Sequence, residues 1–486
     1  MAATYFQQYI AYAVNDKIRL NDAYLRLGDC HFVDSKYALG LESYNKALQL
    51  NVNDGDYAQF QKAISYGFIG NNDKKIQELN ILLKKYKASQ YRDDALFELA
   101  TAYVLANKTD MALQTFEILV TEFKNGLFTA KSILKQGLLY YSSQNDNLAL
   151  LKFKKVAADY PKSAEAFEAI ATAKLIYINN ANVDAYAEWI KTLGYIELSN
   201  AELDNDTFES AEKQYLQKNT KQAQVALNNY IAKFPGGLHA LNANFYVAQI
   251  YYNDGNFDNS IANYKFVASQ PTNEFTEQAL AKLSEIYLNK SDFVTAVPFL
   301  QRLETEANST QNKNFATVNL MRSFYNINQY DQAVQYAELV SENDKIDSKL
   351  KSDAQIIIAR SAIKTNDFAK AKAAYIIVSK IAKGELASEA LFYDAYFKNK
   401  ENKYLDSNKA VQKLAKEYSS YKYYGARGLV LMANNYYQLK DAFQATSILE
   451  SVIENFTNYA DVVAQAKIDL ELIKTEQAKT NSSINK

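Results

Sequence analysis

Metal binding and acid–base catalysis need clustered His, Cys, Asp or Glu, and this sequence scatters them. Its two histidines, His31 and His239, lie far apart. The one cysteine, Cys30, rules out an intramolecular disulfide and a Cys-based zinc cluster, and reads as a small buried thiol. There is no Gly-rich phosphate loop, no His pair at helical metal spacing and no Gly-x-Ser-x-Gly elbow. The 55 Asp and Glu are balanced by 54 Lys and Arg, for a net charge of -1. Without a basic block, nucleic acid is not an expected partner. No catalytic group, cofactor or metal is expected.

What remains is the chemistry of recognition. Tyr and Arg dominate the energetics of protein interfaces, and the chain has 38 Tyr. An apolar ring with a polar tip suits both helix packing and a wet binding face. Eight residues are candidate partner contacts: Tyr141, Gln249, Tyr252, Arg322, Tyr325, Arg360, Asn434 and Tyr437. Each lies one or four residues after the first site of a pattern that recurs along the chain, a site that is usually small, so the elements that repeat it must position them.

That recurrence has a period of about 36 to 37 residues, in the range of repeat architectures. The first small site reads Gly28, Ala100, Gly137, Ala211, Ala248, Ser284, Ala359, Ala395 and Ala433, with Lys174 and Met321 filling it in two units. Three residues on comes His31, Tyr103, Tyr140, Tyr177, Tyr251, Tyr287, Phe324 or Tyr436. A second small site follows twelve after the first: Gly40, Ala112, Ala149, Ala223, Ser260, Ala296, Ala333, Ala371, Ser407 and Ala445. Paired helices approach closely only where one offers a small side chain to the other's bulk. Each unit therefore reads as a helix hairpin that buries its apolar faces by stacking on its neighbours. Breaks such as "NKTD", "QNDN" and "NKSD" supply polar caps for the second helix. Pro161, Pro235 and Pro271 fall at unit ends, whereas Pro298 falls inside a second helix, where it should cost a hydrogen bond and bend the chain.

About twelve units are expected, beginning near Asn21, Tyr57, Asp93, Ala130, Phe167, Asp204, Leu241, Glu277, Asn314, Ser352, Ser388 and Ala426. Two are irregular. The unit from Tyr57 shows Ile64 and Ile76 at the small sites, and the unit from Phe167 shows Lys174 and Tyr186. A looser joint over 180–210 would divide the array into lobes 21–203 and 204–458. Residues 1–20 read as the second helix of a truncated repeat, so the chain is expected to begin in mid-unit, as a fragment of a longer protein. Residues 459–474 read as a capping helix and 475–486 as a disordered tail. No apolar run is long enough to span a membrane.

The small, aromatic, small, apolar template resembles the tetratricopeptide repeat over nearly the whole chain. The resemblance implies an all-α fold: a right-handed superhelical α-solenoid of about twelve helix hairpins. "DYPKSAEAFEAIATAKLIY" and "KFPGGLHALNANFYVAQIYYNDGNFDNSIANYKFV" are similar to repeats of outer-membrane assembly lipoproteins and periplasmic cell-division coordinators. "DTFESAEKQYLQKNTKQAQVALNNYIAKFPGG" and "LVLMANNYYQLKDAFQATSILESVIENF" look like a large envelope repeat protein of Bacteroidota. This implies protein or peptide partners within a multi-subunit envelope complex, and a periplasmic, outer-membrane-associated location. Chaperone-binding repeats place Lys three before the first small site and Asn one after. Here the earlier position reads Leu25, Leu134, Phe245, Ala281, Ile356 and Val430, so Asn434 has no Lys partner and a co-chaperone role is disfavoured. A non-catalytic scaffold binding through a concave first-helix face is expected. The alternatives are a spacer held by its convex face or ends, a cytoplasmic adaptor, and an auxiliary module of a longer enzyme.

Overall fold

A computed structural model describes residues 1–12 and 15–484, with side chains to residue 479. A single helix, α1 (Ala2–Tyr12), precedes the first hairpin, α2 (Lys17–Val33) with α3 (Tyr37–Leu50). Next come α4 (Gly55–Phe68) with α5 (Asn72–Lys85), α6 (Arg92–Leu105) with α7 (Thr109–Glu122), and α8 (Thr129–Ser142) with α9 (Asp146–Asp159). Then follow α10 (Ala164–Asn179) with α11 (Val183–Leu193), α12 (Asn200–Leu216) with α13 (Thr220–Lys233), and α14 (Ala240–Asn253) with α15 (Phe257–Ser269). The series continues as α16 (Thr276–Asn289) with α17 (Phe293–Glu306), α18 (Thr310–Asn326) with α19 (Tyr330–Glu342), and α20 (Ser348–Lys364) with α21 (Phe368–Ile381). It closes with α22 (Gly384–Lys400) and α23 (Tyr404–Glu417), α24 (Lys422–Gln438) and α25 (Ala442–Asn455), and a final α26 (Ala460–Ile484). The described residues are thus all-helical, with twelve hairpins between two single helices.

The small sites work by a size exchange with the residue sixteen further on. A Cβ added to Gly28 would lie 2.5 Å from Cε1 of Tyr44. Gly137 stands in the same relation to Phe153, at 2.5 Å. Where the first site is large, as at Met321, the residue sixteen on is small, Ala337, and both are fully buried. The second small site abuts the first helix's backbone. A Cβ on Gly40 would lie 3.3 Å from the Gly28 carbonyl oxygen, and Ser407 Oγ donates to the Ala395 carbonyl at 2.7 Å. A fully buried Phe153 or Phe116 contributes about 2 to 3 kcal/mol of transfer energy.

Each hairpin turns at a residue with positive φ seven positions after the first small site: Ser35, Gly70, Asn107, Gln144, Ala181, Lys218, Gly255, Ser291, Asn328, Asn366, Asn402 and Lys440. The following N–H groups fold back onto the first helix, as Asn107 N to Val104 O at 3.0 Å and Lys108 N to Tyr103 O at 2.9 Å. This satisfies carbonyls the helix leaves open. The next residue side-chain-caps the second helix at Asn71, Asn145, Asp292, Asp367 and Asp441.

These turns correct the reading of the unit from Tyr57. Gly70 places its first small site at Ala63, fully buried, rather than at Ile64. The second site is Lys75, not Ile76. A Cβ on Gly67 would meet the Lys75 stem at 3.0 Å, and Lys75 Nζ bonds Glu98 at 2.5 Å. Successive first sites are then 35 to 38 residues apart.

Lys174 does occupy its small site, since Ala181 turns seven residues later. Its ammonium reaches Asp206 in α12 at 2.7 Å instead of packing across the hairpin. The short α11 runs near α10 over less of its length than α9 does along α8, and it ends at Gly194 with φ 67. Rings fill the gap. Tyr177, Tyr186 and Trp189 have centroids 5.9, 6.3 and 6.1 Å apart, and Lys154 lies 5.7 Å from both Tyr177 and Trp189.

The chain divides into two compact units, Met1–Ala243 and Asn244–Lys486, at a point within α14; position 203/204 lies inside α12. Within each unit, consecutive hairpins pack side by side, as α7 on α8 and α19 on α20. Helix α1 packs on α2, whose first turn is at Lys17 rather than Asn21. Helix α26 runs through Ile484, well past the expected end at 474, because "TEQAKTNSSI" holds no Gly or Pro to stop it. Residues 485 and 486 of the expected tail lie outside the described residues. Pro298 sits within an unbroken α17. The carbonyl it leaves open belongs to exposed Val294, where water can satisfy it. Cys30 is half-buried rather than buried, and His31 fills its aromatic packing site.

Candidate functional site

Repetition brings the residues one and four after each small site onto the same face of successive first helices. All eight candidates are half-buried there. Tyr141 packs on the core around Ile133 and Phe153 in the first unit. The other seven belong to the second unit, and most are engaged by the next first helix. The Tyr252 ring lies under the Lys282 ammonium, 4.1 Å from its centroid, and Lys282 Nζ bonds Glu285 at 3.0 Å. Arg322 bonds Asp353 at 2.8 Å. Arg360 grips Glu389 with two bonds, 2.9 and 2.6 Å. Asn434 donates to Asp469 at 3.0 Å, and the Tyr437 hydroxyl bonds Glu476. Tyr325 sits near the Arg360 guanidinium and edge-on to Tyr330, with centroids 6.0 Å apart. Gln249 occupies the equivalent place in α14.

Five of the candidates, Tyr252, Arg322, Arg360, Asn434 and Tyr437, therefore form a ladder of cross-links between neighbouring helices of the second unit. A rule of register governs part of it: the residue one after a small site meets the residue six before the next. Arg322 and Asp353 obey it about Met321 and Ala359, and Arg360 and Glu389 obey it about Ala359 and Ala395. Glu389 is 2% exposed, yet it also accepts the Tyr375 hydroxyl at 2.7 Å. Burial alone would raise its pKa, but Arg360, Tyr375 and Tyr424 together hold the carboxyl below its ordinary value. Burial, and then the Glu389 charge, push the Tyr375 and Tyr424 phenols up. The cluster is a fixed charge pair wrapped in neutral tyrosines.

Asp353, Glu389 and Asp206 are the acceptors that the repeat pattern did not single out. Their signal was the position six, or in Asp206's case five, residues before a small site, opposite a cation about thirty residues upstream. Arg427 was also missed. It lies over Phe392 at 4.4 Å, with the rings of Tyr393, Tyr423 and Tyr424 within 5.9 Å. Among the described residues no three His, Cys, Asp or Glu side chains gather as metal ligands would, and no helix is long and apolar enough to cross a membrane.

The tetratricopeptide-repeat family matches residues 94–126 and 131–163, which correspond to the hairpins α6–α7 and α8–α9. These two hairpins therefore carry tetratricopeptide repeats. No curated protein matches it in sequence. Among solved structures, the C-terminal part of a repeat protein from Cytophaga hutchinsonii is 18% identical, over 53% of this chain and 99% of that one, with a TM-score of 0.31. A tetratricopeptide repeat protein from Parabacteroides merdae is 16% identical, over 55% and 99%, with a TM-score of 0.28. Yeast Tom70 is 14% identical, over 95% and 97%, with a TM-score of 0.28.

Proposed function

We propose that this chain is a non-catalytic protein-interaction scaffold whose first-helix row takes up an extended segment of a partner protein. The supporting observation is the ladder itself. Tyr252, Arg322, Arg360, Asn434 and Tyr437 are half-open to solvent and already held by neighbouring helices. Side chains fixed before binding lose less entropy when a partner arrives. The Arg and Tyr mixture is that of interface hot spots. The partner is taken to be part of a bacterial envelope complex at the outer membrane or in the periplasm. That finer reading rests on the resemblance of the "KFPGG" and "DYPKS" stretches to envelope repeats.

A spacer held through its second helices is the other reading. It is favoured by exposed apolar side chains there: Leu151 in α9, Val225 in α13, Val294 in α17, Ile376 in α21 and Phe443 in α25. One experiment separates the two. A photo-crosslinking amino acid is placed at Tyr325 on the first-helix row and, separately, at Ile376, in cells of the native host. Partner crosslinks at Tyr325 support the scaffold. Crosslinks at Ile376 alone overturn it in favour of the spacer, and fractionation of the same cells tests the envelope location.

A further inference from the structure

The ladder reverses sign at one rung. By the register that pairs Arg322 with Asp353 and Arg360 with Glu389, the next pair is Tyr396 with Arg427. A cation stands at the sequence position where the two earlier rungs hold a carboxylate, and the position that carries arginine in those rungs is a tyrosine here. Among the described residues no carboxylate lies within 4.0 Å of the Arg427 guanidinium. Asp461, on the neighbouring α26, is bonded to the Tyr423 hydroxyl at 2.8 Å instead.

We propose that Arg427 anchors an acidic side chain of the partner segment; this deepens the scaffold reading and rests on it. The guanidinium carbon lies 4.4 Å from the Phe392 ring centroid and 5.8 Å from that of Tyr393, so rings hold it on more than one side and it is half-buried. Stacking uses the faces of the fork and leaves edge N–H donors for a planar acceptor, which an Asp or Glu carboxylate matches in two bonds. The rings also displace water beside the charge, which strengthens its attraction for an anion over that of an exposed arginine. A phosphate or nucleic-acid backbone is a poorer fit. Such ligands gather several cations, whereas the arginine of the preceding rung, Arg360, is committed to Glu389. A glutamate or aspartate of a peptide crossing α22 and α24 needs one.

The test uses the purified full chain on an array of synthetic ten-residue peptides of randomised sequence. The wild type is expected to retain peptides enriched in Asp and Glu, and Arg427→Gln to bind the best of them about tenfold more weakly, with Arg427→Lys in between. Retention of the same acidic peptides at unchanged affinity by Arg427→Gln overturns the anchor and leaves the scaffold standing. No peptide retained by the wild type overturns both. If Arg427→Gln loses its helical circular dichroism, the best peptide is remade with Asn and Gln for its acids and offered to the wild type. A fall of similar size supports the anchor, and an unchanged affinity overturns it.

Discussion

The ring of Phe153 occupies the space a side chain on Gly137 would need, its Cε1 only 2.5 Å from where a Cβ would sit. Gly137→Ala must therefore displace a fully buried ring. We expect a loss of about 1 to 3 kcal/mol, read as a lower urea midpoint of the first unit. Adding Phe153→Leu should recover part of it. A double variant no better than the single one would refute the size exchange.

The inverse pair, Met321 and Ala337, gives the complementary expectation. Met321→Ala leaves a cavity between α18 and α19 and should cost roughly 2 to 5 kcal/mol. Ala337→Leu in that background should restore stability, although alone it overpacks the hairpin and destabilises. Opposite signs of Ala337→Leu in the two backgrounds are the measurement that decides.

Glu389 makes stability depend on acid. Its folded pKa is depressed, so its contribution is complete above the unfolded value of about 4.3 and is lost as pH falls through the folded value. Between pH 7 and pH 3 the wild type should lose more stability than Glu389→Gln does. Arg360→Met leaves the carboxylate buried without its partner. The cost should be about 2 kcal/mol, below that of a fully buried pair because the Arg360 side chain is 41% exposed. Equal acid sensitivity of wild type and Glu389→Gln would remove this role.

Pro298 lies deep in α17 and is exposed. Pro298→Ala should restore the bond to the Val294 carbonyl and stabilise the second unit by about 1 to 3 kcal/mol, less the entropy the unfolded chain regains. A lowered urea midpoint would mean that the proline makes a contact worth more than the lost bond.

The packing sites were legible because sterics impose them in most periods: Gly28 and Gly137 have to be small because Tyr44 and Phe153 fill the space beside them. Register was harder. An even period points to Ile64 where Ala63 holds the small site, because Lys75 stands where other units have a small residue and only Gly70 marks the frame. The ladder was half legible. Arg322 and Arg360 stood out by residue type, but Asp353 and Glu389 looked like ordinary solvated carboxylates, since pairing across hairpins appears in no local window. Arg427 was hidden for a related reason. It keeps the register of Asp353 and Glu389, six residues before a small site, but its partners are ring faces contributed by two helices, which no local window shows.

Ten of the twelve corners between paired helices hold a side chain in a backbone region that suits glycine better, among them Ala181, Lys218 and Lys440. The bend there is dictated by the helices it joins, not by the residue at its apex. Corner sequence is consequently free to drift, and glycine transplanted to Lys218 or Lys440 would relieve local tension without touching any interface. The solvent-exposed corners at Lys218 and Lys440 are also where an engineer could graft a dye or an affinity handle at little expense to helix packing.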